Sequence, residues 1–253
     1  MNLLLFTLPA AVIPSILLLW YFQSRERYSQ QSKKIWSAFG IGLLSTFFVV
    51  IIVSPLAFFT YKYNIHNRPM LYGIIGSLFS TAIPEESMKL LVLIKYCKRK
   101  KYIETKMDGL VYGTTVSLGY ATLENIFYVF FYKDLYTAII RGLIAVPAHS
   151  MLGAIMGYHL AKKIFDKRDR YKQIIIAWII PIGLHTLYNF PEYLTDGIYY
   201  SGSRVWWPMF YFFKAISFST LWFCYCLIKK YFNDAKEEQQ YQIMDEFEND
   251  TSK

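Results

Sequence analysis

Long runs of apolar residues, separated by short polar loops, set the pattern of this 253-residue chain. Most runs reach the roughly 20 residues that a helix needs to cross a bilayer. They predict seven spanning helices, at Leu3–Phe22, Ile35–Tyr61, Met70–Cys97, Asp108–Tyr132, Leu135–Ala161, Gln173–Leu194 and Trp206–Phe232. No alternation typical of a membrane β-barrel is present. We therefore predict an all-α, polytopic membrane protein that sits in the lipid bilayer.

The seven runs predict one integral membrane domain over residues 1–232, followed by a tail over residues 233–253. Hydrophobic residues make up 55% of the chain and aromatic residues 19%, which is too apolar for a soluble domain of this length. The tail is polar and acidic, a composition typical of short flexible segments.

The net charge of +9 comes from basic residues that crowd into alternate loops. They lie in Arg25–Lys34, Lys98–Lys106, Lys162–Lys172 and the segment from Lys229 onward. Basic loops of membrane proteins face the cytoplasm, so this pattern predicts an external N-terminus and a cytoplasmic C-terminus. The basic excess reflects topology and does not indicate nucleic-acid binding. We expect a multi-pass protein of the cell membrane.

Two adjacent carboxylates, Glu85 and Glu86, stand in the middle of the third apolar run. One acidic residue at the centre of a spanning helix costs roughly 2.5 to 3.5 kcal/mol. Lys89 follows Glu85 by four residues, so the two share a helix face and can pair, which leaves Glu86 to be explained. Ionisable residues at this depth mark a candidate functional site.

Three further runs carry polar residues near the same depth. Glu124 lies on a face of small and polar residues in the fourth run, and His149 lies on a small-residue stripe in the fifth. His185 and Asn189 are four residues apart in the sixth run and share a face. Because each group is costly to bury alone, we predict that Glu85, Glu86 and these residues surround one polar cavity.

Several chemistries fit such a cluster. Carboxylates could activate a water for amide hydrolysis, with His or Asn stabilising the oxyanion. Glutamate and histidine could bind a divalent metal ion to the same end, although the HExxH motif of soluble metalloproteases is absent. The cluster could also form an ion or proton path in a transporter, or a non-cleaving peptide-binding or sensor site.

The other ionisable residues have simpler interpretations. His66 lies in a predicted outer loop and is expected to be a solvated residue. His159 lies near the cytoplasmic end of its run and is expected to be structural. Arg141 is expected to pair with Glu124 or Glu192. Asp108 begins the fourth run, where a carboxylate suits the helix dipole.

Five short motifs occur in order along these runs. They are Glu85-Glu86-x-x-Lys89, Asp108-Gly-Leu-Val-Tyr-Gly113, Gly119-Tyr-Ala-x-x-Glu124-Asn125, a lone His149 and His185-x-x-x-Asn189. This arrangement resembles the PrsW family of intramembrane proteases, over roughly residues 70 to 195. That family in turn resembles the superfamily of CAAX-prenyl proteases and bacteriocin-processing enzymes.

The resemblance implies an intramembrane endopeptidase that acts on a membrane-anchored protein, such as an anti-sigma-factor-like regulator. It implies that Glu85 or Glu86 activates the water and that Glu124 and His149 position it or transfer protons. His185 and Asn189 would stabilise the oxyanion, with Lys89 and Asn125 in support. The sequence indicates no oligomeric state.

The larger superfamily has a histidine where this chain has Glu124, which makes the predicted site rich in carboxylates and poor in imidazole. Zinc favours imidazole ligands, so the sequence favours a metal-free, glutamic mechanism. We accordingly expect no cofactor, with a divalent metal ion at the Glu and His cluster as the alternative.

Overall fold

The computed structural model describes residues 2–24, 32–165, 170–204 and 207–251. Within these ranges the chain is helical and contains no β-strand, in agreement with the predicted all-α fold. The α-helices are α1 (Asn2–Ser24), α2 (Ser32–Lys62), α3 (Pro69–Ile74), α4 (Ile83–Val92), α5 (Lys106–Tyr132), α6 (Leu135–Leu143), α7 (Ala145–Phe165), α8 (Arg170–Tyr200) and α9 (Trp207–Thr251). Two π-helical segments, Ile75–Ala82 and Leu93–Lys98, flank α4.

Five stretches of the described residues are helical, long and apolar enough to cross a membrane. They are Phe6–Ser24, Lys33–Lys62, Leu135–Ile164, Tyr171–Tyr200 and Trp207–Tyr241. The third and fourth predicted spans are also helical but less apolar, because they carry the acidic and small residues of the polar cluster. The count of seven spans and the orientation of the termini stay predictions. Parts of two predicted basic loops (25–31 and 166–169), Trp206 and the end of the tail (252–253) lie outside the described residues.

Helix α5 is the centre of the bundle, and every residue from Met107 to Leu123 is buried. It packs most closely on α7, where Gly109 and Gly113 face Gly153 and Gly157. A β-carbon on any of these four glycines would collide with the facing backbone, so the two helices touch main chain to main chain.

Helix α2 packs against another side of α5 by the same means. Gly42 lies against the backbone of Val116, and Gly119 lies against the carbonyl of Phe39. The Thr46 hydroxyl also donates a hydrogen bond of 3.2 Å to the carbonyl of Tyr120. The small residues of α5 therefore serve close helix packing on two sides.

The run from α3 to α4 packs on α8. A β-carbon on Gly76 would collide with the Tyr193 ring, and one on Gly73 would lie 2.8 Å from Phe190. The hydroxyls of Thr81 and of Tyr193 on α8 are 2.9 Å apart. Thr81 belongs to the π-helical segment that precedes α4. π-helical segments often occur next to functional sites, and this one directly precedes Pro84 and the two glutamates.

The fifth predicted span is divided into α6 and α7 at Ile144, whose φ of −121° departs from helical geometry. Pro147 provides the physical reason, because it has no N–H to donate to the carbonyl four residues earlier. The Asp134 side chain accepts a hydrogen bond from the Thr137 backbone and thereby starts α6 as a separate helix. The sequence analysis expected one continuous helix here.

Helix α9 has 45 residues, which corresponds to roughly 67 Å and is far longer than a bilayer core. The sequence predicted a flexible tail, whereas the described tail residues continue the helix to Thr251. Ala235 and Gln239 are buried, and Asp234 accepts a hydrogen bond of 2.9 Å from Lys106 on α5. This packing stabilises a segment whose composition alone suggested flexibility.

Candidate active site

Helix α4 brings three charged side chains to one place. Lys89 Nζ lies 2.7 Å from Glu86 Oε1 and 3.7 Å from Glu85 Oε2, and all three residues are buried. The sequence predicted the pairing with Glu85 from the four-residue spacing. The closer partner is Glu86, three residues away, since that spacing also brings side chains together on a helix.

His149 on α7 bridges this group to Glu124 on α5. Its Nδ1 lies 2.9 Å from Lys89 Nζ, and its Nε2 lies 2.8 Å from Glu124 Oε2. The second contact is close but lacks the alignment of a full hydrogen bond. Lysine ammonium can only donate, so Nδ1 presents its lone pair to the cluster and Nε2 carries the hydrogen.

His185 on α8 completes the cluster. Its Nδ1 lies 2.8 Å from Glu86 Oε1, the oxygen that also accepts from Lys89. A carboxylate can only accept, so Nδ1 carries the hydrogen. The rings of His149 and His185 are perpendicular, with centroids 5.2 Å apart. The structure thus places side chains from α4, α5, α7 and α8 in one connected group.

Glu124 is held from its other side by Arg141 on α6. Arg141 Nη2 donates to Glu124 Oε1 at 2.8 Å, and its Nε donates to Asn125 Oδ1 at 2.9 Å. Of the two partners that the sequence offered for Arg141, the structure selects Glu124. Glu192 pairs instead with Lys214.

The cluster is almost closed to its surroundings. The side chains of Glu86 and Lys89 have no exposed surface, whereas those of Glu85 and Glu124 are 8% and 16% exposed. Glu124 and its partner Arg141 therefore lie on the more accessible side. Three carboxylates face two basic side chains here, so the ionised group carries an excess negative charge.

Four residues of the group form a donor set for a metal ion. One ligand atom each from Glu85, Glu86, His149 and His185 lies within 4.8 Å of the others. Two carboxylate oxygens, Oε2 of Glu85 and Oε2 of Glu86, are buried and accept no hydrogen bond from the described residues. Unsatisfied buried oxygens of this kind favour a further cation or a bound water.

Two predicted site residues lie beside the cluster. Asn125 contacts Arg141, and its buried Nδ2 has no partner among the described residues. Asn189 lies one turn beyond His185 on α8 and is half-buried, and its side-chain amide makes no hydrogen bond with a described residue. Neither asparagine touches the glutamate pair directly.

The sequence analysis did not assign Arg141 or Tyr120 to the site. Lys89 Nζ lies 4.6 Å from the centroid of the Tyr120 ring, a cation–π distance. Both residues carried a signal that could have identified them. Arg141 is an ionisable residue inside an apolar run, and Tyr120 stands one turn before Glu124 on the polar face.

The two histidines that were not assigned to the site stay apart from the cluster. His159 is buried between Gln173 and Tyr231, at 2.8 and 3.0 Å. His66 packs against tyrosine rings at Tyr61 and Tyr200. Asp108 and Thr105 cap the start of α5 through reciprocal hydrogen bonds, as a capping box.

Comparison with known proteins identifies the family of the chain. A family model described as "PrsW family intramembrane metalloprotease" matches residues 30–216, which include every helix of the cluster. The chain belongs to the PrsW family. It is therefore a membrane protease, and the resemblance noted in the motifs is confirmed.

Curated members of the PrsW family align with most of the chain. Protease PrsW of Bacillus subtilis (strain 168) is 32% identical over 197 residues, which cover 76% of this chain and 85% of that protein. Protease PrsW of Clostridioides difficile (strain 630) is 32% identical over 188 residues, covering 71% and 76%. Protease PrsW of Oceanobacillus iheyensis is 29% identical over 184 residues, covering 72% and 81%. No solved structure matches the chain.

Proposed function

We propose that this protein is an intramembrane endopeptidase that cleaves a membrane-anchored protein. The observation that carries the proposal is the buried group of two carboxylates and two imidazoles, drawn from three helices of a membrane protease. By resemblance to the family, the substrate is an anti-sigma-factor-like regulator.

We propose further that the site uses a divalent metal ion. The metal-free expectation relied on Glu124 replacing a histidine ligand, but Glu124 lies on the far side of His149 and is outside the four-residue donor set. A carboxylate behind a histidine is the usual support of a metal-binding imidazole. The donor atoms are buried and the group carries excess negative charge, and both properties favour a bound cation. Glu86 Oε1 and His149 Nδ1 already hold one cationic group, the Lys89 ammonium.

Glu86, His149 and His185 would hold the ion, a donor set of the His₂Glu type found in catalytic zinc sites. When bound, a divalent ion polarises the scissile carbonyl and lowers the pKa of a bound water. Glu85 would then be the general base, because its carboxylate is more exposed than that of Glu86. Glu85 takes the proton of the water and passes it to the leaving amine.

Asn189 supplies a donor toward the substrate. It follows His185 by one turn on α8, is half-buried, and its amide makes no hydrogen bond with a described residue. An uncommitted amide beside the cluster can donate to the oxyanion that forms at the scissile carbonyl. Lys89 holds the neighbouring carboxylates of α4 in place and does not take part in the chemistry.

The direct test compares membrane-protein fragments in cells that carry the wild-type protein, Glu85→Gln or His66→Ala. The fragment of the substrate should be present with the wild-type protein and the His66 variant, and absent with Glu85→Gln at equal protein level. Equal fragments from all three would end the protease proposal for this site. The transporter or non-cleaving sensor interpretation would then take its place.

A further inference from the structure

Arg141 is a charged residue whose partners are all on another helix. It belongs to the short helix α6, and its guanidinium donates to Glu124 and Asn125 on α5. The guanidinium carbon also lies 3.6 Å from the centroid of the Tyr128 ring on α5, in a cation–π contact. A planar guanidinium can make these contacts together, which a lysine ammonium cannot.

These contacts determine where the Glu124 carboxylate points. Oε1 is engaged by Arg141, and Oε2 therefore remains to face His149 Nε2 at 2.8 Å. A carboxylate at that nitrogen favours the tautomer that carries hydrogen on Nε2. The lone pair of His149 then stays on Nδ1, the atom that faces Lys89 and the glutamates.

We infer that Arg141 is a positioning residue of the hydrolytic site, which acts through Glu124 to hold the Nε2 side of the His149 ring in place. Arg141 does not touch the donor set itself. Its effect passes through one carboxylate, from α6 through α5 to α7. The inference rests on the proposed function for its kinetic consequence, but the surroundings of His149 Nε2 can be observed without any substrate.

A break at Ile144 separates α6, which bears Arg141, from α7, which bears His149. Because α6 is a separate short helix, Arg141 is not held in register with His149 by continuous helical geometry. The ion pair with Glu124 is thus the connection that relates α6 to the cluster. The ion pair offsets part of the cost of burying the Arg141 charge inside an apolar run.

The test uses the full-length protein labelled with ¹⁵N-histidine, in the wild-type form and as Arg141→Met, Arg141→Lys and Arg68→Lys. Arg68 is exposed in the loop before α3 and serves as the matched control. The ring ¹⁵N chemical shifts report which nitrogen of each histidine carries hydrogen, and His149→Ala identifies the signal of His149. The same preparations are assayed for kcat and KM on a membrane-anchored substrate.

The wild type and Arg68→Lys should show His149 with hydrogen on Nε2 alone. Arg141→Met should show a changed ¹⁵N shift at His149 Nε2, because Glu124 no longer faces that nitrogen in a fixed position. Its kcat should be lowered about 10- to 100-fold, the usual size of such supporting contacts, with KM little changed. Arg141→Lys keeps the positive charge but loses the paired N–H donors of the guanidinium. The change at His149 and the loss of kcat should therefore both be smaller than in Arg141→Met. If Arg141→Met fails to fold, Arg141→Lys alone decides.

An unchanged ¹⁵N shift at His149 Nε2 in the Arg141 variants, together with normal kcat, would overturn the inference and leave the protease proposal standing. An unchanged shift with a loss of protein level would also overturn it and make Arg141 merely structural. If the wild type does not cleave but the Nε2 shift changes in Arg141→Met, the positioning role holds and the proposed function fails.

Discussion

Helix α7 carries two buried histidines ten residues apart, and their surroundings differ in charge. His159 lies between the neutral side chains of Gln173 and Tyr231, and each ring nitrogen has one partner. His149 lies between a lysine ammonium and a carboxylate, beside further carboxylate oxygens that accept no hydrogen bond. Burial and hydrogen bonding are thus common to both sites. Excess charge and unsatisfied oxygens distinguish the proposed active site at His149 from the neutral site at His159.

The largest expected effect comes from removing the members of the charged site. Separate substitutions of Glu85, Glu86, His149 and His185 by Ala should each lower kcat by roughly 10³-fold or more, measured on a purified membrane-anchored substrate. Double substitutions should add little, because residues that act as a unit are not additive. His159→Ala should retain near-wild-type kcat. A comparable loss in His159→Ala would erase the distinction between the two histidines.

Metal removal should affect the cluster at His149 and not the neutral site at His159. A strong chelator should abolish proteolysis, and zinc or manganese should restore it, since the proposed water activation needs the ion. Metal analysis of the purified protein should find about one equivalent in the wild type and in His159→Ala, and much less in Glu86→Gln. Full activity after chelation, with no metal retained, would return the site to the metal-free glutamic mechanism.

Loss of the ammonium at the charged site should affect folding as well as activity. Lys89→Ala leaves Glu86 buried without its closest partner, which should lower the free energy of unfolding by roughly 3–5 kcal/mol. Lys214→Ala removes an exposed ion pair with Glu192 and should cost at most about 1 kcal/mol. Thermal unfolding in detergent measures both. Normal abundance of Lys89→Ala with complete loss of cleavage would make Lys89 a catalytic group.

Substitution of His159, in the neutral site, should change the stability of the protein and leave kcat unchanged. His159→Ala removes the partner of Gln173 and Tyr231, and an unsatisfied buried polar group costs about 1–3 kcal/mol. We expect a lower unfolding temperature with kcat unchanged at temperatures well below it. A changed kcat without a change in stability would show that the two histidines are coupled along α7.

Topology fusions should place the two sites at different depths in the membrane. Reporters after Lys101 should read cytoplasmic, and reporters after Asn64 and Gly197 external, as the distribution of basic residues predicts. His159 would then lie nearer the cytoplasmic face than His149. The same side for Asn64 and Lys101 would show that the third predicted span does not cross the membrane.

The sequence predicted well those features that depend on local spacing. The proximity of Lys89 to Glu85 follows from helical periodicity, and the apolar runs predicted the long helices. Short ordered motifs brought Glu124, His149 and His185 into the candidate site before any contact was known. These features are local, or depend on a family pattern.

Other features depended on tertiary contacts that spacing does not encode. The choice of Arg141 between Glu124 and Glu192 follows from the position of α6, which is separate because Pro147 interrupts the helix. The helical tail is stabilised by docking of Asp234 on Lys106, two residues more than 100 positions apart. The polar, acidic composition of the tail predicted flexibility, because composition carries no information about a distant partner such as Lys106.

The glycine contacts between α5 and α7 have a mechanical consequence. Since the two backbones touch at Gly109, Gly113, Gly153 and Gly157, neither helix can slide or tilt without steric collision. They act as one rigid block that keeps Glu124 and His149 at constant separation.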